Sequence, residues 1–336
     1  MAVLAIHGGA GGDGPWRGLS QSDPQRLACM EEILFDIGPR LASGELCALD
    51  AVTQAVKMLE DEPLFNAGRG SVLGANGQIS MDASLMDGHT QRVGSVVHAT
   101  EVRHPIAIAR SLLENEWPVM LQGGAIEAFA AEQSHEIVNQ DWLQTELRQA
   151  QWQKWKATQA RPGSTDEDEG AMLDHDGDEN GFEMGTVGAV ALDSQGHLAA
   201  ATSTGGMTGK PTGRVGDTPI IGAGTWADLK VAVSCTGVGE AFIRTCAARE
   251  VSVKVNHEHL NIQQAADIVL GLVEPFGGRG GIIAVDTDGN VALPFQTRLM
   301  YRGHWSERGI QVGIGPTMFE SAEEACAKES DATLCS

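Results

Sequence analysis

Three clusters of hydroxyls, charges and glycines stand close together in the second half of the sequence. They are Thr202-Ser203-Thr204-Gly205-Gly206, Gly213-Arg214-Val215-Gly216-Asp217 and Ser234-Cys235-Thr236-Gly237-Val238-Gly239-Glu240. Ahead of them, Thr186 opens a β-rich run directly after an acidic stretch. A threonine hydroxyl becomes a nucleophile only when a base takes its proton. No histidine lies near enough in sequence to suggest that base, although a triad can assemble from distant residues. The other available base is the threonine's own α-amino group, whose ordinary pKa of about 7.7–8.0 suits work near neutrality. That amine exists only if the Gly185–Thr186 bond is cut, so this chemistry requires a precursor cleaved there. The bland alternative is a β-branched residue at the start of a strand.

The elements that must position these residues can be read from spacing. Residues 186–193 and 197–203 flank Ser194-Gln195-Gly196 and predict a hairpin. At the start of the chain, residues 2–6 predict a buried strand ending in the loop His7-Gly8-Gly9-Ala10-Gly11-Gly12. Such a loop could cradle phosphate, but it lacks the Lys-Ser/Thr ending of a P-loop and the GxGxxG spacing, so nucleotide binding is a rival with little support. Asp23-Pro24 predicts a helix start, and Leu27, Met30, Leu34, Ile37 and Leu41 keep helical spacing with a break at Gly38-Pro39. A second amphipathic helix is predicted over residues 46–60. Asn76-Gly77 predicts a hairpin between residues 71–73 and 78–84, followed by a strand at 93–97 and a helix from Pro105. Further helices are predicted at 126–131, 142–156, 240–249 and 262–272, with a hairpin around Thr287-Asp288-Gly289. The end after Phe319 is polar and reads as a helix and a loose tail. Two strand groups and two helix groups suggest sheets sandwiched between helical layers.

Residues 161–180 change character, with Asp166-Glu167-Asp168-Glu169-Gly170 and Asp174-His175-Asp176-Gly177-Asp178-Glu179-Asn180 offering little to bury. Such a run predicts a mobile linker. A calcium loop through Asp174, Asp176 and Asp178 fails its pattern, because Glu179 stands where glycine is required and Gly185 where a bidentate glutamate belongs. His257-Glu258-His259 lies between two predicted helices and reads as a solvated loop.

With 336 residues, 42% hydrophobic and 20% charged, the chain can bury a sizeable core in one large or two ordinary domains. A net charge of −22 argues against nucleic acid, whose phosphates need clustered Lys and Arg. The six cysteines show no CxxC pair, which suggests neither zinc nor redox chemistry. No apolar run reaches membrane-spanning length, and the first residues do not form a signal sequence, so a cytoplasmic location is expected.

Several motifs, in one order, resemble the plant-type L-asparaginase/isoaspartyl peptidase family of N-terminal-nucleophile hydrolases. They are His7-Gly8-Gly9-Ala10-Gly11, Pro63-Leu64-Phe65-Asn66-Ala67-Gly68, Met81-Asp82-Ala83-Ser84-Leu85-Met86-Asp87-Gly88, Gly185-Thr186-Val187-Gly188-Ala189-Val190, Thr202-Ser203-Thr204-Gly205-Gly206-Met207 and Gly213-Arg214-Val215-Gly216-Asp217. The resemblance lapses only across about residues 151–184. It implies an α+β fold, the four-layer αββα sandwich of the N-terminal-nucleophile hydrolases. Residues 1–185 would be an α subunit ending in a mobile linker from about 157 to 185, and residues 186–336 a β subunit, together one folded domain. Thr186 would cut the chain after Gly185, then attack the side-chain amide of L-asparagine or a β-linked isoaspartyl peptide. In the roles the resemblance implies, Thr204 orients Thr186, while Thr236 and the Gly237 N–H stabilise the oxyanion. Arg214 takes the substrate α-carboxylate, and Asp217 with the Gly239 carbonyl its α-ammonium; Gly237 also contacts substrate. Asn66 would face the pocket or order its own loop. A sodium ion is implied on the backbone carbonyls of Leu59, Glu60, Glu62, Phe65, Ala67 and Arg69, with no cofactor for catalysis. The partners implied are a small-molecule substrate and a second copy in an (αβ)₂ assembly, with no nucleic acid and no membrane. A charged Arg69 beside the ion loop and Trp226 near the pocket leave access and leaving-group preference open. Glycosylasparaginase-type activity is the alternative within the superfamily, and a non-maturing amino-acid-binding protein the alternative outside it.

Overall fold

The apolar stripes of the first half become helices laid on a sheet. The computed structural model describes residues 1–12, 16, 23–159 and 185–331. Of the linker expected from about 157 to 185, residues 157–159 end a helix, while residues 160–184, with the calcium-loop alternative, and the last five residues of the chain lie outside these. Helix α1 (Pro24–Ser43) starts where expected, with Asp23 accepting from the Arg26 N–H, and ends at Gly44 with φ +79°. The predicted break at Gly38-Pro39 does not occur. Pro39 removes one N–H bond, but Ile37, Gly38 and Leu41 are buried on either side of it. Gly38 lies so close to Trp305 that a Cβ would meet the indole at 2.2 Å. Helices α2 (Ala48–Asp61), α3 (Pro105–Asn115) and α4 (Gly124–Glu132) match their patterns. The single helix predicted over 142–156 is two, α5 (Gln140–Leu143) and α6 (Glu146–Gln159). Thr145 Oγ1 accepts from the Arg148 N–H at 3.2 Å and begins the second afresh. Likewise the stretch 240–249 divides into α7 (Gly239–Thr245) and α8 (Ala247–His257), because Cys246 adopts φ +48°. Helices α9 (Ile262–Val273) and α10 (Ala322–Asp331) complete the set among the described residues.

An eight-stranded sheet runs in the order β12 (Gly309–Gly313), β11 (Leu299–Ser306), β1 (Val3–Gly11), β5 (Val187–Leu192), β6 (Leu198–Thr204), β2 (Met81–Asp87), β3 (Val93–Ala99), β4 (Met120–Gln122). A second sheet has the order β10 (Val291–Ala292), β9 (Gly280–Asp286), β8 (Val231–Gly237), β7 (Thr225–Ala227). Strand β1 corrects an expectation: the glycines after His7 are not a loop but continue the strand, with a bulge between His7 and Gly9. The segment pairs with β11 from Gly9 to Gly11, and the Ala10 N–H donates to a side chain of the other sheet, so this stretch is not an open glycine loop of the kind that cradles phosphate. At Asn76-Gly77 the turn forms, with Gly77 at φ +76°, but the hairpin shrinks to one bridge, Leu73 to Ile79, before β2 pairs with β3 and β6. The hairpin at 193–197 is as expected, with Asp193 Oδ1 accepting from the Gln195 and His197 N–H groups.

Three apolar clusters hold these elements. Helices α1, α2 and α3 bury Leu34, Ile37, Val56 and Leu112 with Leu4, Ile6, Ala189 and Leu85 of the large sheet. Helices α8 and α9 bury Val251, Val269 and Val273 with Val231, Val233 and Ile282 of the small sheet. Residues of both sheets share the third cluster, Val3, Ala5, Val190 and Leu198 meeting Ala232, Ile283 and Val285. The result is a mixed α/β architecture. Among the described residues no helix is long and apolar enough to cross a membrane.

Candidate active site

The β5–β6 hairpin sets the centre. Its register pairs Val187 with Ser203, so Thr186 and Thr204 end the two strands side by side. Their hydroxyl oxygens are 3.2 Å apart, and Thr204 Oγ1 also accepts from the Gly206 N–H at 2.9 Å. The chain reverses after Thr204 through Gly206 at φ +81°, a conformation that favours glycine. From the other sheet, β8 brings Thr236 and Gly237. The Ala10 N–H donates to Thr236 Oγ1 at 3.2 Å, tying the end of β8 to β1. Gly9, at φ +109°, lies against Gly185, where a Cβ would meet the Gly185 nitrogen at 2.5 Å. The backbone just before Thr186 is therefore held by a residue that can carry no side chain.

Gly185, Thr186, Thr204, Arg214, Asp217 and Gly237 line one pocket. With Gly185 in place it measures about 20 Å³, room for about one water. Asp217 is buried, and one of its oxygens, Oδ2, has no hydrogen-bond partner among the described residues. Burial pushes its carboxyl up to about 7, against the pull of the Arg214 guanidinium. Arg214 does not pair directly with Asp217. Its Nε and Nη2 donate to Glu240 Oε1 and Oε2, both at 2.8 Å. Burial lowers the guanidinium pKa, but this bond and the charges of Glu240, Asp217 and Asp82 together raise it. Gly239 opens α7 against both groups, since a Cβ there would fall 2.7 Å from Asp217 Oδ1 and 3.2 Å from Arg214 Nη2.

Thr236 is fully buried beside the pocket; its Oγ1 accepts from the Ala10 N–H and keeps its own proton to donate. Of the two places left open for Asn66, the geometry gives the loop. Asn66 Oδ1 accepts from the Val72 N–H at 3.0 Å and Nδ2 donates to the Gly206 carbonyl at 2.7 Å. In the loop after α2, the Glu60 and Glu62 carbonyls accept from the Arg69 and Phe65 N–H groups. The Glu60 carboxylate turns inward, receiving the Ser203 hydroxyl at 2.6 Å. Arg69 lies over the Trp142 ring, 5.4 Å from its centroid. Among the described residues, no group of three or more His, Cys, Asp or Glu side chains is placed to hold a metal.

Two residues escaped the sequence analysis. Glu240 ended a motif already noted, but a partner 26 positions away leaves no mark in spacing. Lys210 is buried, and its Nζ donates to the Ser80 and Gly205 carbonyls at 2.6 and 2.7 Å. Burial brings its pKa down to about 8, with Asp82 opposing.

A strand-end threonine thus stands in one pocket with a buried carboxylate and a guanidinium. A family model described as asparaginase matches residues 1–314, and the chain belongs to that asparaginase family. It is 43% identical over 310 residues to the isoaspartyl peptidase of Salmonella typhimurium, covering 92% of this chain and 96% of that one. The isoaspartyl peptidase of Escherichia coli is 43% identical over 313 residues, with 92% and 94% covered. A probable isoaspartyl peptidase/L-asparaginase 2 of Arabidopsis thaliana is 37% identical over 320 residues, with 92% and 97% covered.

Proposed function

We propose that the chain cuts itself before Thr186 and then hydrolyses the side-chain amide of L-asparagine and of β-linked isoaspartyl peptides. The observation that carries this is the Thr186 hydroxyl, 3.2 Å from Thr204 Oγ1, in a pocket shared with Gly185, Arg214 and Asp217. In the precursor, Thr186 Oγ1 attacks the Gly185 carbonyl carbon, the amide becomes an ester, and water opens it. The freed amine then takes the hydroxyl proton for attack on the substrate. An aspartyl ester forms, ammonia or a peptide amine leaves with that proton, and water releases aspartate.

Thr204 orients the nucleophile, while Thr236 and the Gly237 N–H receive the developing oxyanion, worth about 3–4 kcal/mol per donor. Arg214 takes the substrate α-carboxylate, held in position by Glu240; Asp217 and the Gly239 carbonyl take the α-ammonium. Both substrate types present this free pair and break at the side-chain carbonyl, so one clamp serves both. Removal of the Gly185 tail opens the room that substrate needs.

In this reading residues 1–185 and 186–336 are the two subunits of one αββα domain, α1–α3 covering the large sheet and α7–α9 the small one. Sodium is placed on the carbonyls of Leu59, Glu60, Glu62, Phe65, Ala67 and Arg69. Support comes from Gly70, where a Cβ would meet the Pro63 and Phe65 carbonyl oxygens at 2.4 and 2.8 Å, so the loop draws its oxygens inward. Each carbonyl already bonded to an N–H keeps a second lone pair for a hard cation. The assembly is (αβ)₂, which light scattering on the purified protein checks. Mass spectrometry of the intact protein, with ammonia release from L-asparagine and amine release from a β-aspartyl dipeptide, tests the whole reading. An active sample made only of uncut chain overturns it.

A further inference from the structure

One pleat further from the pocket, the same strands carry a second row of polar side chains. His7, Ser84, Thr202, Thr225 and Ser234 are all fully buried. His7 Nε2 is 2.9 Å from Ser234 Oγ, and Ser234 Oγ is 2.8 Å from Thr202 Oγ1. Thr202 Oγ1 is 2.6 Å from Thr225 Oγ1, which is 2.9 Å from Ser84 Oγ. Ser84 Oγ donates to the Thr218 carbonyl at 2.6 Å, directly behind Asp217. The row crosses β1, β8, β6, β7 and β2, so it joins both sheets.

Residues i and i+2 of a strand share a face. Thr202 therefore lies beneath Thr204, Ser234 beneath Thr236, and Ser84 beside Asp82; across the bulge, His7 leads to Gly9. Strand β5 contributes no side chain. A Cβ on Gly188 would fall 2.0 Å from Ser234 Oγ and 2.4 Å from His7 Nε2, so the row fills the space that Gly188 leaves two residues after Thr186.

Each hydroxyl has one proton, and a carbonyl can only accept. Thr225 Oγ1 and Thr202 Oγ1 also face the Thr218 and Gly224 carbonyls at the longer distances of 3.5 and 3.4 Å, but once Ser84 gives its proton to Thr218, a single order fills every link within the row. Thr225 donates to Ser84, Thr202 to Thr225, Ser234 to Thr202, and His7 Nε2–H to Ser234. That order leaves Nδ1 as the bare nitrogen, and Nδ1 has no hydrogen-bond partner among the described residues. Burial pulls the His7 pKa down to about 3, with the Thr186 backbone opposing, so the ring is neutral at ordinary pH. A buried network whose hydroxyls are all engaged in this way favours one arrangement of the strands it joins.

We propose that this row of five side chains is a positioning device for the catalytic threonines, locking the two sheets in the one register that brings Thr204, Thr236 and Gly9 to Thr186 and Gly185. It rests on the reading of Thr186 as nucleophile. Thr202→Val keeps the shape and breaks the row, whereas Thr202→Ser keeps the hydroxyl. In the full-length protein, Thr202→Val lowers kcat and the rate of self-cleavage by about 10–100-fold with a much smaller change in KM, the penalty of slight misplacement. Thr202→Ser restores kcat to within about threefold of wild type. Should Thr202→Val not fold, Ser234→Ala carries the same test. Nitrogen-15 chemical shifts of the His7 ring report a neutral Nε2–H form; a proton on Nδ1 overturns the order of the row. A wild type that neither cuts nor hydrolyses overturns the reading of Thr186 and this inference with it. A wild type that does both, matched in kcat by Thr202→Val and Ser234→Ala, overturns this inference alone.

Discussion

The space between the sheets has two ends built from the same strands. At one end Val3 and Ala5 of β1, Leu198 and Ala200 of β6, and Ala232 of β8 close an apolar core. Two residues further along, the same faces carry His7, Thr202 and Ser234; two further still, Gly9, Thr204 and Thr236. Along β6 and β8 each step is one pleat, and the backbone departs from it only at the bulge between His7 and Gly9 of β1. Side-chain chemistry, with the bulge at Gly9, turns a dry interface into a hydrogen-bonded one and then into a pocket. The reactive threonines thus sit on rigid strands, which hold a reacting atom more tightly than a loop.

Substitutions at the two ends can break or sharpen this contrast. The largest effect is at the pocket. Thr186→Ala leaves one uncut chain by mass spectrometry and lowers amide hydrolysis by at least about 10⁴-fold, since the nucleophile has no substitute. Next, Arg214→Ala lowers kcat/KM for L-asparagine by about 10²–10³-fold, chiefly through KM, because the substrate α-carboxylate loses the cation proposed to bind it. Glu240→Gln follows with a smaller rise in KM, as the guanidinium loses its anionic anchor. A pH profile gives a gentler effect. Asp217 is raised to about 7 by burial, and in the role proposed for it would hold the substrate ammonium only when ionised. Accordingly kcat/KM rises with pH through about 7, up to about tenfold per pH unit on the acid side. Asp217→Asn leaves only the limb of the Thr186 amine, with its midpoint at about 7.7–8.0, and a wild-type profile flat from about pH 5 to 8 contradicts the assignment. The smallest effect on activity belongs to the apolar end. Leu192→Ala costs about 2–5 kcal/mol of stability, read by denaturant melting, and leaves kcat of the folded enzyme unchanged. A large fall in its kcat would show that the two ends are not separable.

The pocket was more legible than the fold around it. Thr186 announced itself as a threonine opening a strand with glycine before it, and Arg214 and Asp217 as opposite charges three apart among glycines. These are local signals. Glu240, Lys210 and the row beneath the pocket are not, since each draws its meaning from partners on other strands. A faint trace was available: hydroxyls recur every second residue at Thr202 and Thr204, and at Ser234 and Thr236. Among the elements, the glycines of β1 read as a loop because glycine is rare in strands, yet Gly9 is required by the close approach of Gly185. Residues 299–313, with mixed Arg, Gly, His and Trp, gave no strand pattern, although β11 and β12 pair along most of that length. Pro39 and Cys246 misled in opposite directions: tertiary packing carried α1 through a proline, and a left-handed residue ended α7 without a glycine.

The order of strands in the large sheet bears on what becomes of the protein once cut. Strand β1 comes from before residue 186, yet both its neighbours, β11 and β5, come from after it, and β2 is bonded to β6. The halves are woven rather than stacked, so severing one peptide link frees neither. They should co-elute through any native column and part only in denaturant. Nor should the halves assemble readily when made apart, for each would have to hold a gap open for the other's strand. Weaving needs a single thread, and the nick can come only after the cloth is made.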